Sequence, residues 1–298
     1  MHSPNGKAWA SLRARLPALI LALGALAMCP CEGAELSSDF AELNGMKVHY
    51  SSYGNGPETL VFVHGWMCDR TFWDGQVKAF GDEARAIAID LPGHGESDKP
   101  EIDYTMQLHA DAVAAVMRKA RMEGATLVGH SNGTPVIREF YRRYPEKVRA
   151  LVIVDGALRP FAEKEEMAKF IEPLKQPDFH ATVPPFIDAM LRPLKNAATR
   201  EKIKAAMLSA PQHVAVSEME AITNPDLWRP DRINVPTLMI LAKQPAWNAD
   251  YEKFVRGLIP DLDYHVWPGV SHFLMLDKPE EFNAALKSFL QKRRLAGR

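Results

Sequence analysis

Gly129-His130-Ser131-Asn132-Gly133 sets a serine midway between two glycines. In the G-x-S-x-G arrangement a strand turns abruptly into a helix, leaving the serine at the apex in strained backbone with its hydroxyl exposed. The glycines remove the β-carbons that would collide in so tight a turn. A serine hydroxyl is a poor nucleophile at neutral pH, so it needs a base in hydrogen-bond reach, itself oriented by a third group. Of the ten histidines, His272 is the one that follows Ser131 in a strand-to-helix loop. His180 and His213 fall among helical segments, and His265 lies inside a strand. Two carboxylates preserve the order serine, acid, histidine: Asp155, which ends the strand after Ser131's, and Asp250, where a later helix begins. An aspartate in the first turn of a helix is favoured by the helix dipole without any chemistry, so Asp155 leads and Asp250 is the alternative.

The elements that must position these groups alternate. Thr126-Leu127-Val128 before the serine is apolar on both sides, as in a strand covered by helices on both faces. After it, Val136, Phe140 and Tyr141 recur at helical spacing up to Tyr144-Pro145. Further strands read at Thr59 to Val63, Ala86 to Asp90, Ala150 to Val154, Thr237 to Leu241 and Tyr264 to Trp267, and Asn44-Gly45 signals a hairpin ahead of them. Helices read at Trp73 to Phe80, Met106 to Met122, Ala249 to Ile259 and Glu280 to Lys292. The fold class is therefore α/β, a mostly parallel sheet with helices on both faces. Between 158 and 227 no strand-like run occurs, and four short helical stretches (Glu163 to Leu174, Phe186 to Leu194, Glu201 to Leu208, Val214 to Ile222) are separated by prolines. They read as an inserted helical lid. Its apolar positions Phe170, Ile171, Phe186, Ile187, Met190, Leu191 and Met207 are expected to form the lid's own core. The expected organisation is a core of 35–157 and 228–298 with the lid at 158–227.

Composition bounds the alternatives. The 298 residues are 47% hydrophobic and 24% charged with a net charge of -1, and no basic cluster gives a reason to seek nucleic acid. Residues 1–34 read as a secretory signal peptide. Lys7, Arg13 and Arg15 precede an uncharged apolar run from Leu16 to Met28, too short to span a bilayer, and small and polar residues follow. A secreted or periplasmic protein without stable membrane insertion is expected. A lipoprotein is the alternative, since Leu26-Ala27-Met28-Cys29 outlines a lipidation box in which Met28 is bulky. Of three cysteines, Cys68 alone would remain after cleavage, so no internal disulfide is expected. Neither a metal site nor a cofactor is indicated, and the composition leaves the oligomeric state open.

Taken together, Gly129 to Gly133, the strand ending in His64-Gly65, the Asp90 to Ser97 loop and Gly269 to His272 resemble the α/β-hydrolase family, from about Leu43 to Phe289. The resemblance implies an acyl-enzyme on Ser131, with His272 shuttling the proton. It also implies an oxyanion hole from the backbone N–H groups of Trp66 and Asn132. Trp66, Met67 and Trp247 are the expected pocket residues. Family members usually carry the acid shortly past the strand Thr237 to Leu241, where this chain has Pro245; some, haloalkane dehalogenases among them, carry it at the position of Asp155. The expected function is a carboxylic ester hydrolase acting on a small or medium, fairly apolar ester. A lactonase, amidase or cofactor-free perhydrolase would use the same groups, and a non-catalytic ligand-binding member is the alternative from another class. Dehalogenase and epoxide hydrolase chemistry would need a carboxylate where Ser131 stands. Expressed in a host with an export pathway, the mature protein is expected to begin near Ala34 or Glu35 by intact-mass spectrometry. An intact Met1 product would count against export, and a diacylglycerol adduct on Cys29 would replace cleavage by lipidation.

Overall fold

The computed structural model describes residues 36–81 and 83–296. The signal segment expected over 1–34 lies outside them. Eight strands form one sheet in the order β1-β2-β4-β3-β5-β6-β7-β8. They are β1 Ser37–Leu43, β2 Met46–Tyr53, β3 Glu58–Val63, β4 Ala84–Ile89, β5 Ala125–His130, β6 Val148–Val154, β7 Thr237–Ala242 and β8 Leu262–Trp267. Only β1/β2 and β2/β4 pair antiparallel; from β4 across to β8 every pair is parallel. The β1/β2 hairpin turns at Asn44 (φ 52°) and Gly45 (φ 84°), two left-handed residues whose twist matches that of the strands.

Strands β3, β5 and β6 are apolar without alternation because helices cover both faces. The helices beside them are α1 Asp74–Phe80, α2 Met106–Lys119, α3 Gly133–Arg143, α8 Ala249–Leu258 and α10 Pro279–Ala296, with a single turn, α9 Leu274–Asp277, between β8 and α10. Thr105 caps α2 by accepting the Leu108 N–H, and Asn248 caps α8 by accepting the Tyr251 N–H. Trp73, Phe62, Phe140 and Phe282 are fully buried between these layers. Each such ring stabilises the fold by about 1.5–3 kcal/mol relative to its exposed state.

Between β6 and β7 the chain inserts α4 Lys164–Leu174, α5 Phe179–Met190, α6 Ala197–Leu208 and α7 Gln212–Ala221. The sequence placed the second of these helices from Phe186, but it begins a full two turns earlier and runs through Pro184 and Pro185. The carbonyls that those prolines leave without a helical donor belong to His180 and Ala181. Both residues are exposed, on the solvent side of the helix start. The return segment is tied to α3 by buried Arg138, which donates to the carbonyls of Arg229 (2.6 Å) and Asp231 (3.1 Å).

The order of the strands brings the carboxyl ends of β3, β5 and β6 side by side, the edge at which open α/β sheets hold ligands. His64 fixes the first of these ends. Its Nδ1–H donates to Gly65 O (2.8 Å) and its Nε2 accepts from the Leu91 N–H (3.0 Å), so the ring is neutral in one tautomer. Burial, with His94 nearby, pushes its pKa down to about 4. The unfolded chain therefore takes up this proton first: the stability linked to His64 is complete above about pH 6.5 and is lost as pH falls toward 4. Urea titrations at pH 7, 5.5 and 4.5 are expected to show a shallower loss for His64→Asn than for wild type, and equal slopes would refute this linkage.

Candidate active site

Ser131 follows β5 directly and has a left-handed backbone, φ 51°. Two hydrogen bonds hold it there: its N–H donates to Val154 O (2.9 Å), and its carbonyl accepts from the Thr134 N–H (2.9 Å). A Cβ at Gly129 would lie 2.6 Å from Gly133 O, and one at Gly133 would lie 2.6 Å from Val63 O. Both glycines are therefore required by close backbone approach. Gly65 is equally confined, since its Cβ would sit 2.9 Å from that of Ser131. The turn after β3 thus packs directly against the serine.

His272 lies between β8 and α9 and joins Ser131 to Asp155. Ser131 Oγ is 2.7 Å from His272 Nε2, and His272 Nδ1 is 2.7 Å from Asp155 Oδ2. A carboxylate only accepts, so Nδ1 carries the proton and Nε2 faces the hydroxyl with a free lone pair. The main chain of His272 is held from both sides. Its carbonyl accepts from His130 Nε2–H (2.9 Å), and its N–H donates to Met190 O of α5 (3.4 Å). Burial, and next the charge of His272, hold the His130 pKa well below its usual range, so this neighbour stays neutral. Asp155 is buried at the end of β6 with φ 44°. Its second oxygen accepts from the Ala242 N–H (2.9 Å) and from the indole N–H of Trp247 (3.2 Å).

The alternative acid, Asp250, is exposed in the first turn of α8, and no hydrogen bond joins it to His272. Its position fits the dipole role alone. Asn132 and Trp66 both border the cavity above Ser131, as does Trp247. Met67 does not: with φ 58° at the tight turn its side chain is buried in the hydrophobic core, and Cys68 lines the cavity instead. The Cys68 thiol lies 3.4 Å from Trp66 O, and burial raises its pKa well above the usual value.

The cavity has a volume of about 710 Å³ and its walls are mainly apolar. Phe170, Phe186, Met190 and Met207, expected as the inserted helices' own core, form much of its roof; Ile171, Ile187 and Leu191 are buried core as expected. These helices cover the carboxyl edge of the sheet, so the face turned toward it bounds a space. The rings of Trp66, Phe170 and Phe186 meet at centroid distances of 4.8 to 6.0 Å. Glu166 and Lys243 bring charge to the rim.

One residue escaped sequence reasoning: His130 was only the variable position of the glycine-serine motif. Trp247 was expected at the pocket, but nothing in the sequence signalled that its indole would bond Asp155. Among the described residues, His49, Asp90 and Glu96 alone converge at metal-ligand spacing. There the Arg70 guanidinium already supplies the positive charge: its Nε is 3.3 Å from His49 Nδ1 and its Nη2 3.3 Å from Glu96. The Asp90 carboxylate also accepts the N–H groups of Arg70 and Glu96, so the Asp90 to Ser97 loop folds around it.

Fold and geometry together define an α/β enzyme scaffold with a serine, a histidine and an aspartate joined at its carboxyl edge. A family model described as "Alpha/beta hydrolase family" matches residues 60–285, and the chain belongs to that family. Over 125 residues it is 33% identical to the bifunctional esterase/perhydrolase DCH of Acinetobacter calcoaceticus, covering 41% of this chain and 45% of that protein. The solved structure of a thermophilic esterase is similar with a TM-score of 0.70 and 30% identity, covering 87% of this chain and 98% of that one. Est816, an N-acyl homoserine lactone degrading enzyme, is similar with a TM-score of 0.68 and 28% identity, covering 84% and 100%. The chain spans about a third of the length, 33% and 34%, of the first curated relatives it matches.

A carboxylate that fixes the imidazole tautomer should be sensitive to isosteric replacement. Asp155→Asn is expected to lower kcat on an active ester substrate by about 10³ to 10⁴ with little change in KM. Asp250→Asn should change it by less than about tenfold. The opposite ranking would return the acid to Asp250.

Proposed function

We propose that this protein is a serine hydrolase that cleaves carboxylic esters through an acyl-enzyme on Ser131. The observation that carries this reading is the continuous path Ser131–His272–Asp155, two contacts of 2.7 Å each, opening into an apolar cavity. Ser131 Oγ attacks the ester carbonyl while His272 Nε2 takes its proton, and buried Asp155 stabilises the imidazolium that forms. The developing oxyanion is received by the backbone N–H groups of Trp66 and Asn132, at the N-terminus of α3 where the helix dipole favours negative charge. His272 then returns the proton to the departing alcohol, and water, deprotonated by the same nitrogen, releases the acid.

A neutral, largely hydrocarbon ester of drug-like size suits a cavity of this volume and lining. A lactone is the second reading, favoured by the likeness to Est816 over 84% of the chain. The basic, apolar and small-residue zones before Glu35 support an exported mature form.

Mature protein should hydrolyse p-nitrophenyl esters of graded acyl length, with N-acyl homoserine lactones as the competing panel. Ser131→Ala is expected to abolish both turnover and labelling by a fluorophosphonate while leaving the circular dichroism spectrum unchanged. Labelling that persists at another serine would overturn the assignment.

A further inference from the structure

Helix α7 differs from the rest of the insertion in how it meets the sheet domain. Its Val214 packs where Gly93 leaves no room for a β-carbon: a Cβ there would lie 2.7 Å from Val214 Cγ1. The Ser217 hydroxyl accepts the Tyr104 N–H at 2.7 Å. Glu218 is fully buried, with Oε2 3.5 Å from His94 Nε2 and Oε1 2.8 Å from His109 Nε2. Those two histidines come from the loop after β4 and from α2. Burial opposes ionisation of Glu218, but the charge of His94 and the contacts from His109 outweigh it and hold the carboxyl well below its usual range. Burial likewise opposes a charge on His94, yet Glu218 outweighs it and raises that imidazole. Removing one partner of a buried ion pair is strongly destabilising, so these contacts tie α7 to the loop after β4 and to α2. None of these groups touches Ser131, His272 or Asp155.

The same helix holds Trp66. The indole N–H donates to Ala215 O at 2.9 Å, a buried bond three residues from Glu218. Trp66 also supplies one of the two backbone amides assigned above to the oxyanion, in a turn whose next residue has left-handed backbone. A side chain anchored at its far end limits how its own peptide can rotate. The amide's aim therefore depends on where α7 sits.

We propose that Glu218 is a positioning residue for the oxyanion turn: clamped between His94 and His109, it seats α7 so that Ala215 holds the Trp66 indole and, through it, the Trp66 amide. The inference rests on the serine hydrolase reading. Displacing an oxyanion donor weakens binding of the tetrahedral state while leaving the ground-state ester nearly unaffected. Loss of Glu218 should therefore appear in kcat and not in KM.

The test compares wild type with Glu218→Gln, Trp66→Phe and the double variant, all as full mature enzyme. It measures kcat and KM on one p-nitrophenyl ester and Ki for phenylboronic acid, which forms a tetrahedral adduct on the serine. Each single variant is expected to lower kcat and raise Ki by about tenfold with KM within about twofold. The double variant should be no worse than the poorer single, because both act along one path. Ki does not depend on the fraction of enzyme that is folded, so loss of protein alone cannot imitate this result. If Glu218→Gln is not recovered folded, His94→Asn, which removes one end of the same clamp, is read in its place. An unchanged Ki in the Glu218 or His94 variant, or losses that multiply in the double variant, would overturn the proposal while wild type still takes the fluorophosphonate label. A wild type that neither takes that label nor binds the boronic acid would bring down the serine reading itself.

Discussion

A serine held at φ 51° is a conformation that costs the chain about 1–3 kcal/mol, and it persists only because its surroundings over-determine it. The neighbouring strands supply that constraint. β6 offers Val154 O to the Ser131 N–H, β3 brings Gly65 against the serine Cβ, and α3 closes the turn from the other side. Asp155, with φ 44°, repeats the device one strand over, its own N–H held by Ile240 O of β7. Two strand ends in the same unusual conformation, in adjacent parallel strands, set a hydroxyl and a carboxylate at a separation one imidazole can bridge. The sheet thus acts as a ruler.

Much of this was legible in the residues. Strands β3, β5 and β6 announced themselves as apolar runs because both faces are covered, and glycines at 129 and 133 betray a backbone that cannot tolerate a β-carbon. The acid could be narrowed to two aspartates with Asp155 ahead, since a carboxylate in a helix's first turn is explained by the dipole without chemistry, but no local signal showed which of them a histidine would reach. The choice comes from a tertiary fact, the reach of the loop after β8. Met67 illustrates the converse: expected as a pocket residue, it sits in a left-handed turn with its side chain buried in the core. The helical insertion was legible as an insertion, whereas the inward face of its helices was not, because an apolar side chain reads alike whether it fills a core or bounds a cavity. Pro184 and Pro185 misplaced a helix start because proline ordinarily ends a helix, whereas α5 runs through both, the carbonyls they orphan lying on exposed residues.

The histidines divide by environment in a way their sequence positions conceal. His64 and His130 are buried and depressed, kept neutral as fixed-tautomer hydrogen-bonding parts of the turn and the base loop, while His94 is buried and raised by Glu218. Identical side chains thus serve as neutral brackets or as a ring whose protonated form a neighbouring carboxylate favours. What sets His94 apart from the other two is the buried Glu218 carboxylate 3.5 Å from its Nε2.

Cys68 lines the same cavity as Ser131 but is chemically quiet, its thiol kept protonated by burial. Thiolate is the reactive form, so this sulfur offers little to an electrophile or an oxidant that enters the cavity. A reagent chosen for general reactivity toward nucleophiles would consequently discriminate between two side chains sharing one chamber. That difference comes from solvation and not from the reagent's design.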